Sequence, residues 1–161
     1  MIDIGGGASL VVDHLLELGY RDLTVLDISE NALHHAQERL QRRADQVHWI
    51  EADVTRYHPA RKFSLWHDRA AFHFLTEADD RSRYVQVLKK ALIPGGQAVI
   101  AAFAPDGPKK CSGLDIVRYD AQKLSDLIGQ EFILEEQAEE MHVTPAGREQ
   151  SFGFYRFRRQ A

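Results

Sequence analysis

A single cysteine, Cys111, stands in 161 residues. It excludes an internal disulfide and suits a reducing, cytoplasmic setting. No apolar run approaches the roughly 20 residues of a membrane-spanning helix, and no basic-then-apolar leader opens the chain. Positive charge is not in surplus: 20 Lys and Arg stand against 24 Asp and Glu, for a net charge of −4. That leaves no broad electrostatic footprint for nucleic acid. Internal repeats, low-complexity tracts and linkers are missing, so the chain reads as one domain over 1–161. No spacing of His, Cys and Asp makes a convincing metal site. What is present is ordinary for a globular protein, with 44% hydrophobic and 27% charged residues.

Hydrophobic periodicity divides this material into alternating elements. Met1 to Ile4 is an apolar strand. Val11, Val12, Leu15 and Leu16 then recur at helical spacing, predicting a helix from Ser9 to Leu18 with Gly19 as its stop. Leu23 to Leu26 is a second strand ending at Asp27. Ser29 caps a helix whose apolar face is Leu33, Ala36 and Leu40. Val47 to Ile50 and Phe63 to Trp66 are strands three and four. Thr76-Glu77-Ala78-Asp79 has the spacing of a capping box and opens a helix with Tyr84, Leu88 and Ala91 on one face. After a Pro94-Gly95-Gly96 turn comes strand five, Gln97 to Phe103. Residues 104–118 form a long loop rich in Pro, Gly and Lys, a length that in a compact domain points to function. Asp120 caps a last helix ending near Gly129. Phe132 to Glu140 and Ser151 to Arg158 follow with no helix between them, so they are expected to pair antiparallel. The alternating basic residues Arg156, Arg158 and Arg159 read as a solvated face. The fold class is therefore α/β, a Rossmann-like, doubly wound, mostly parallel seven-stranded sheet closed by a C-terminal antiparallel strand pair.

The stretch that organises this alternation is Met1-Ile2-Asp3-Ile4-Gly5-Gly6-Gly7-Ala8-Ser9. A strand enters a glycine turn and leaves as a helix, an arrangement that lets backbone approach a ligand closely. In a dinucleotide fingerprint a third glycine makes room for a pyrophosphate. Here Leu10 stands at that position, and Asp3 just before the turn would repel a pyrophosphate while suiting an ammonium or sulfonium. Asp27 lies twenty positions after Gly7, the spacing at which an acid at the end of strand two reaches ribose hydroxyls. It also reads as a helix N-cap, although Ser29 already serves that purpose.

These segments resemble class I S-adenosylmethionine-dependent methyltransferases over nearly the whole chain. Asp3-x-Gly5-x-Gly7-x-Ser9 resembles the family's first motif, with Ser9 in place of the last glycine. The resemblance implies S-adenosylmethionine as cofactor, with Asp3, Gly5 and Gly7 around its methionine part. It implies Asp27 on the ribose and Ile28 against the adenine. Glu51-Ala52-Asp53-Val54 is similar to the third motif, which puts Asp53 on the adenine amine and the Val54 backbone at the ring. Asp53 also reads as a plain loop carboxylate.

Trp66-His67-Asp68-Arg69-Ala70-Ala71-Phe72-His73-Phe74-Leu75 resembles the Asp-Arg-Ala-x-Phe-His-Phe-Leu segment of a bacterial subgroup of these enzymes. Its place after strand four, at the crevice of such sheets, nominates Asp68 and His73 as catalytic residues facing the donor methyl. A histidine packed at a helix start is the plain alternative for His73. Cys111-Ser112-Gly113 lines the substrate mouth or is only a loop. Methyl transfer chiefly requires alignment and exclusion of water, with a base needed only for a protonated acceptor. The residues therefore point to the donor more than to the acceptor, which is a small molecule or a protein side chain. A partner subunit of the same fold without activity is the alternative, and self-association as a homodimer is compatible with both. Related enzymes usually carry a helical segment ahead of strand one. Its lack here leads to the expectation of an N-terminally short domain with an open cleft, weak donor binding and poor turnover when alone.

Overall fold

Strand β1, Ile2–Ile4, lies in the middle of the molecule with all three residues buried. The computed structural model describes residues 1–144, 147 and 149–161. Helix α1 (Val11–Glu17) leads from the glycine turn to β2 (Leu23–Asp27), then α2 (Glu30–Leu40), β3 (Val47–Glu51) and β4 (Phe63–Arg69). Helix α3 (Ala78–Ala91) joins directly to β5 (Leu92–Phe103). A small hairpin, β6 (Lys110–Cys111) and β7 (Leu114–Asp115), precedes α4 (Ala121–Ile128), and β8 (Phe132–Val143) and β9 (Glu149–Arg159) end the chain. The seven-stranded sheet has the order β3-β2-β1-β4-β5-β9-β8. Its first five strands are parallel, and β9 runs antiparallel to both β5 and β8. That is the expected doubly wound sheet with its closing strand pair.

Alternation along the strands divides the core between two faces. Ile2, Ile4, Leu26, Trp66 and Ile100 pack against Tyr84 and Leu88 of α3 and Leu124 and Ile128 of α4. Val25 and Leu23 pack on the other face with Val12 and Leu16 of α1 and Leu33 and Leu40 of α2. Helices α1 and α2 are tied by a bidentate pair, Arg39 Nε and Nη2 donating to Asp13 at 3.0 and 2.8 Å. The guanidinium holds the Asp13 carboxyl below its ordinary range. Arg39 also donates to the Ser9 carbonyl at 2.8 Å, fixing the exit of the glycine turn.

Local signals locate most ends. Ser29 Oγ accepts from Ala32 N at 3.2 Å and Asp120 Oδ1 from Lys123 N at 2.8 Å, each capping its helix. Two expectations are corrected. The Thr76 capping box does not form, because Glu77 is the N-cap and makes no side-chain cap bond. Instead, Arg81 donates to the Leu75 and Thr76 carbonyls at 2.9 and 2.6 Å and holds that entry. The Pro94-Gly95-Gly96 segment lies within β5, as an outward loop between the Phe63–Leu92 and Leu65–Gln97 pairings, with Gly95 at φ +76°. Arg156 and Arg158 lie on a solvated face, with side chains 33% and 43% exposed. They bracket Glu135 at 2.7 and 2.5 Å in a cross-strand ladder.

Candidate functional site

The ends of β1, β2, β3 and β4, with β7 of the small hairpin, border a cleft of about 610 Å³ at the C-terminal edge of the parallel strands. Ile4, Leu26, Ala52 and Phe74 give it apolar walls, and Asp27, Asp53 and Asp115 are its carboxylates. This is the crevice where ligands bind in open α/β sheets. Gly5, Asp27, Ile28, Asp53 and Val54, all nominated by the sequence, border it. Asp3, Gly7, Asp68 and His73 do not.

The glycine turn is required first by the protein's own packing. Gly5 takes φ +67°, and a Cβ there would stand 3.0 Å from Ala71 Cβ. On Gly7 it would stand 2.8 Å from Ala32 Cβ and 2.9 Å from Asp27 Oδ2. Gly6, which the motif does not single out, is equally constrained, since a Cβ would collide with Asp3 Oδ2. Asp27 Oδ2 accepts from Gly7 N at 3.0 Å and Oδ1 from Ser29 N at 2.9 Å. A carboxylate offers about four lone-pair positions, so Asp27 ties the two motifs together and still has acceptor capacity at the cleft. Asp53 Oδ1 is engaged by its own turn, accepting from Thr55 N at 2.8 Å and Thr55 Oγ1 at 2.7 Å. Ile28 is 71% exposed, an unusual state for a large apolar side chain on a cleft wall.

Asp3 lies beneath the turn and is 3% exposed. Its Oδ1 is 2.6 Å from His67 Nδ1, while Oδ2 is buried without a hydrogen-bond partner. Burial works against a charged His67, but the hydrogen bond and charge of Asp3 outweigh it and raise the imidazole above its ordinary value. That buried carboxylate oxygen, without a hydrogen-bond partner beneath a closely packed glycine turn, favours positive charge nearby, the property expected of a sulfonium amino acid.

The placement of Asp68 and His73 differs from the expectation that they face the donor methyl. Asp68 is wholly buried, on the face packed by α3. Its Oδ1 accepts from Ala71 N at 2.8 Å and Phe72 N at 3.2 Å, and its Oδ2 from Phe72 N at 3.1 Å and Tyr84 Oη at 2.6 Å. Burial pushes its carboxyl up to about 6. With those contacts it caps a turn and is closed to a ligand. His73 is also wholly buried, both ring nitrogens lack partners, and its ring packs 4.5 Å from Phe74 and 4.9 Å from Phe103. Burial pushes it down to about 4. The reason is register: a residue pair chosen by its place at a strand end had one member turned inward by alternation, the other by the 3-10 turn Phe72–Phe74.

The sequence missed other participants. His67 is Asp3's partner, and only the pairing of β1 beside β4 makes them neighbours. Ala70 and Ala71 form part of the cleft, and small apolar residues carry no chemical signal. The 104–118 loop does supply lining, but through Leu114 and Asp115 of the hairpin; Cys111 packs instead beside Phe103 and Phe152.

Residues 1–96 match the family model described as a methyltransferase domain. No curated protein matches the chain in sequence. Several solved structures share its fold. One, from work on conversion of a disulfide bond into a thioacetal group during echinomycin biosynthesis, superposes with a TM-score of 0.80 at 21% identity, covering 99% of this chain and 74% of that one. The N-methyltransferase NodS from Bradyrhizobium japonicum WM9 gives 0.78 at 18% identity, covering 99% and 85%. The 1,6-didemethyltoxoflavin-N1-methyltransferase of Burkholderia thailandensis, solved with 1,6-didemethyltoxoflavin and S-adenosylhomocysteine, gives 0.78 at 20% identity, covering 99% and 70%.

Proposed function

Because the chain belongs to the methyltransferase-domain family, we propose that it transfers the methyl group of S-adenosylmethionine to a small molecule or a protein side chain, acting as a single domain over 1–161. The observation that carries this reading is the cleft itself, where the Asp27 carboxylate, tied to the glycine turn, faces an apolar slot edged by Ile28 and Val54. Asp27 would accept from the ribose hydroxyls and Ile28 would cover one face of the adenine. Asp53 and the Val54 backbone would meet the adenine edge. Gly5 and Gly7, with Asp3 beneath them, would take the methionine part. When bound, S-adenosylmethionine supplies an electrophilic methyl on a sulfonium.

The chain's own contribution is then orientation and exclusion of water. Strand ends fix the polar contacts, and Leu114 with Phe74 walls the slot. Among the described residues that line the cleft none is a histidine, lysine or arginine. The acceptor therefore arrives able to react without a strong base from this protein. That same fact favours a second reading, a relative that holds the donor without transferring its methyl.

Calorimetry with S-adenosylhomocysteine and NAD side by side tests the binding reading: heat of binding is expected from the first alone. Binding of NAD in its place, or of neither, overturns it. Transfer of a labelled methyl to any acceptor in metabolite or lysate pools separates the two readings, since a binding-only relative labels nothing.

A further inference from the structure

Behind the cleft, a chain of buried hydrogen bonds runs from the sheet into α3 and back. Trp66 Nε1 donates to Tyr84 Oη at 2.8 Å, and Tyr84 Oη donates to Asp68 Oδ2 at 2.6 Å. All three residues are fully buried. The indole and phenol meet edge to face, with centroids 5.5 Å apart, and Phe72 lies 4.6 Å from the phenol ring. The far end of this chain holds a strained piece of backbone. Ala70 takes φ +66°, a left-handed conformation that a residue with a Cβ seldom adopts. It is held there by its own N–H, which donates to the Ala101 carbonyl at 2.9 Å, and by Asp68 gathering the next two N–H groups. Ala70 and Ala71 both border the cleft, and Ala71 Cβ presses on the space above Gly5.

We propose that Tyr84 and Trp66, acting through Asp68, are positioning residues that hold Ala70 and Ala71 in place as the cleft wall beside the glycine turn. The inference rests on the cleft being the donor site. Strain persists only where surrounding contacts over-determine it, and it concentrates where geometry serves a site. A buried polar network in which each member is satisfied specifies a single geometry, where an apolar core of equal volume would tolerate several. Here the network's one free choice is the carboxylate, which alone can accept from two successive N–H groups and a hydroxyl together. Helix α3 thereby reaches a cleft that none of its residues touches.

Tyr84→Phe removes one hydroxyl and leaves the ring. In the full chain, judged folded by circular dichroism, it is expected to weaken S-adenosylhomocysteine binding roughly tenfold, the loss of a hydrogen bond to a charged group. Hydrogen exchange at the Ala71 and Phe72 amides should quicken beyond the change at core amides of β5. Placed in an Ala70→Gly background, the same substitution should cost distinctly less affinity, because glycine takes the left-handed conformation without being held. A merely structural tyrosine would lower stability equally in both backgrounds and show no such coupling. Should Tyr84→Phe fail to fold, Trp66→Phe probes the same chain one bond further back, with a loss of about threefold expected. No binding by the wild-type chain overturns the functional reading and this assignment with it. Wild-type binding that is unchanged in Tyr84→Phe, or a loss identical in both backgrounds, overturns the assignment alone.

Discussion

Asp68, near the end of β4, and His73, in the 3-10 turn that follows it, are both wholly buried, and burial shifts them in opposite directions, the carboxyl up to about 6 and the imidazole down to about 4. Each favours its uncharged form in the fold, so their contributions to stability oppose each other over the same range of pH. A raised carboxyl contributes stability that is full below the unfolded value near 4 and is lost as pH climbs through 6. A depressed imidazole contributes stability that is present above about 6.5 and is lost as pH falls through 4. In the wild-type chain the two slopes largely cancel. His73→Phe is expected to expose the first, with stability falling by on the order of 2 kcal/mol from pH 4 to 6 relative to wild type. Asp68→Asn should expose the second, with stability falling by a similar amount from pH 6.5 to 4. Urea midpoints measured across that window decide it, and curves parallel to wild type would sink the assignment of both shifts.

Asp27 has two duties, and a substitution should separate them. Asp27→Ala removes the acceptor for Gly7 N and Ser29 N, which is expected to cost about 1–2 kcal/mol of stability. Loss of its bond to ribose should in addition weaken S-adenosylhomocysteine binding by several-fold to about a hundredfold, an effect of roughly 1–3 kcal/mol. Titration calorimetry on the folded variant reads the second effect by itself. Unchanged affinity would remove Asp27 from the donor site and leave it only the turn.

Ile28 should behave in the reverse way. Being 71% exposed, it contributes little to the folded core, so Ile28→Ala is expected to leave the thermal midpoint within about a degree of wild type. Burial against a ligand's ring would make up for that exposure only in the complex, and affinity should fall several-fold, about 1 kcal/mol. A drop in stability without a drop in affinity would place the side chain in the core instead of at the cleft.

Gly7→Ala tests the turn without removing a polar group. A methyl there meets Ala32 Cβ and Asp27 Oδ2 at distances that real Cβ atoms do not show. Helix α2 and the glycine turn must then separate. The expected cost is on the order of 1–3 kcal/mol in a denaturant melt, together with loss of donor affinity. Gly113→Ala, at φ +82° with open space around it, serves as the comparison, since any cost there is backbone strain alone. Equal effects at the two positions would show that crowding at Gly7 does not matter.

Much of the fold was legible in the sequence because its causes are local. Ser29 and Asp120 cap the helices they precede, Gly19 and Gly129 follow helix ends at positive φ, and apolar periods place Leu33, Ala36 and Leu40 on a buried face. The cleft residues at strand ends were legible for the same reason: Gly5, Asp27, Ile28, Asp53 and Val54 sit one turn or less from the strand that carries them to the cleft. Which face a strand-end side chain takes is another matter. His67, Asp68 and Arg69 are successive residues, yet His67 meets Asp3, Asp68 meets Tyr84 and Arg69 lies over the Phe152 ring, 4.8 Å from its centroid. Those partners stand 64, 16 and more than 80 positions away in the chain, so no local pattern contains them. Residue type and spacing determined that a carboxylate and a histidine would follow strand four. Only the stacking of β1 beside β4 and of α3 beneath it decided that one would be buried as a turn's acceptor and the other left dry among phenylalanines, because contact depends on the sheet's register and on alternation of faces, and both are set by pairing between segments distant in the chain.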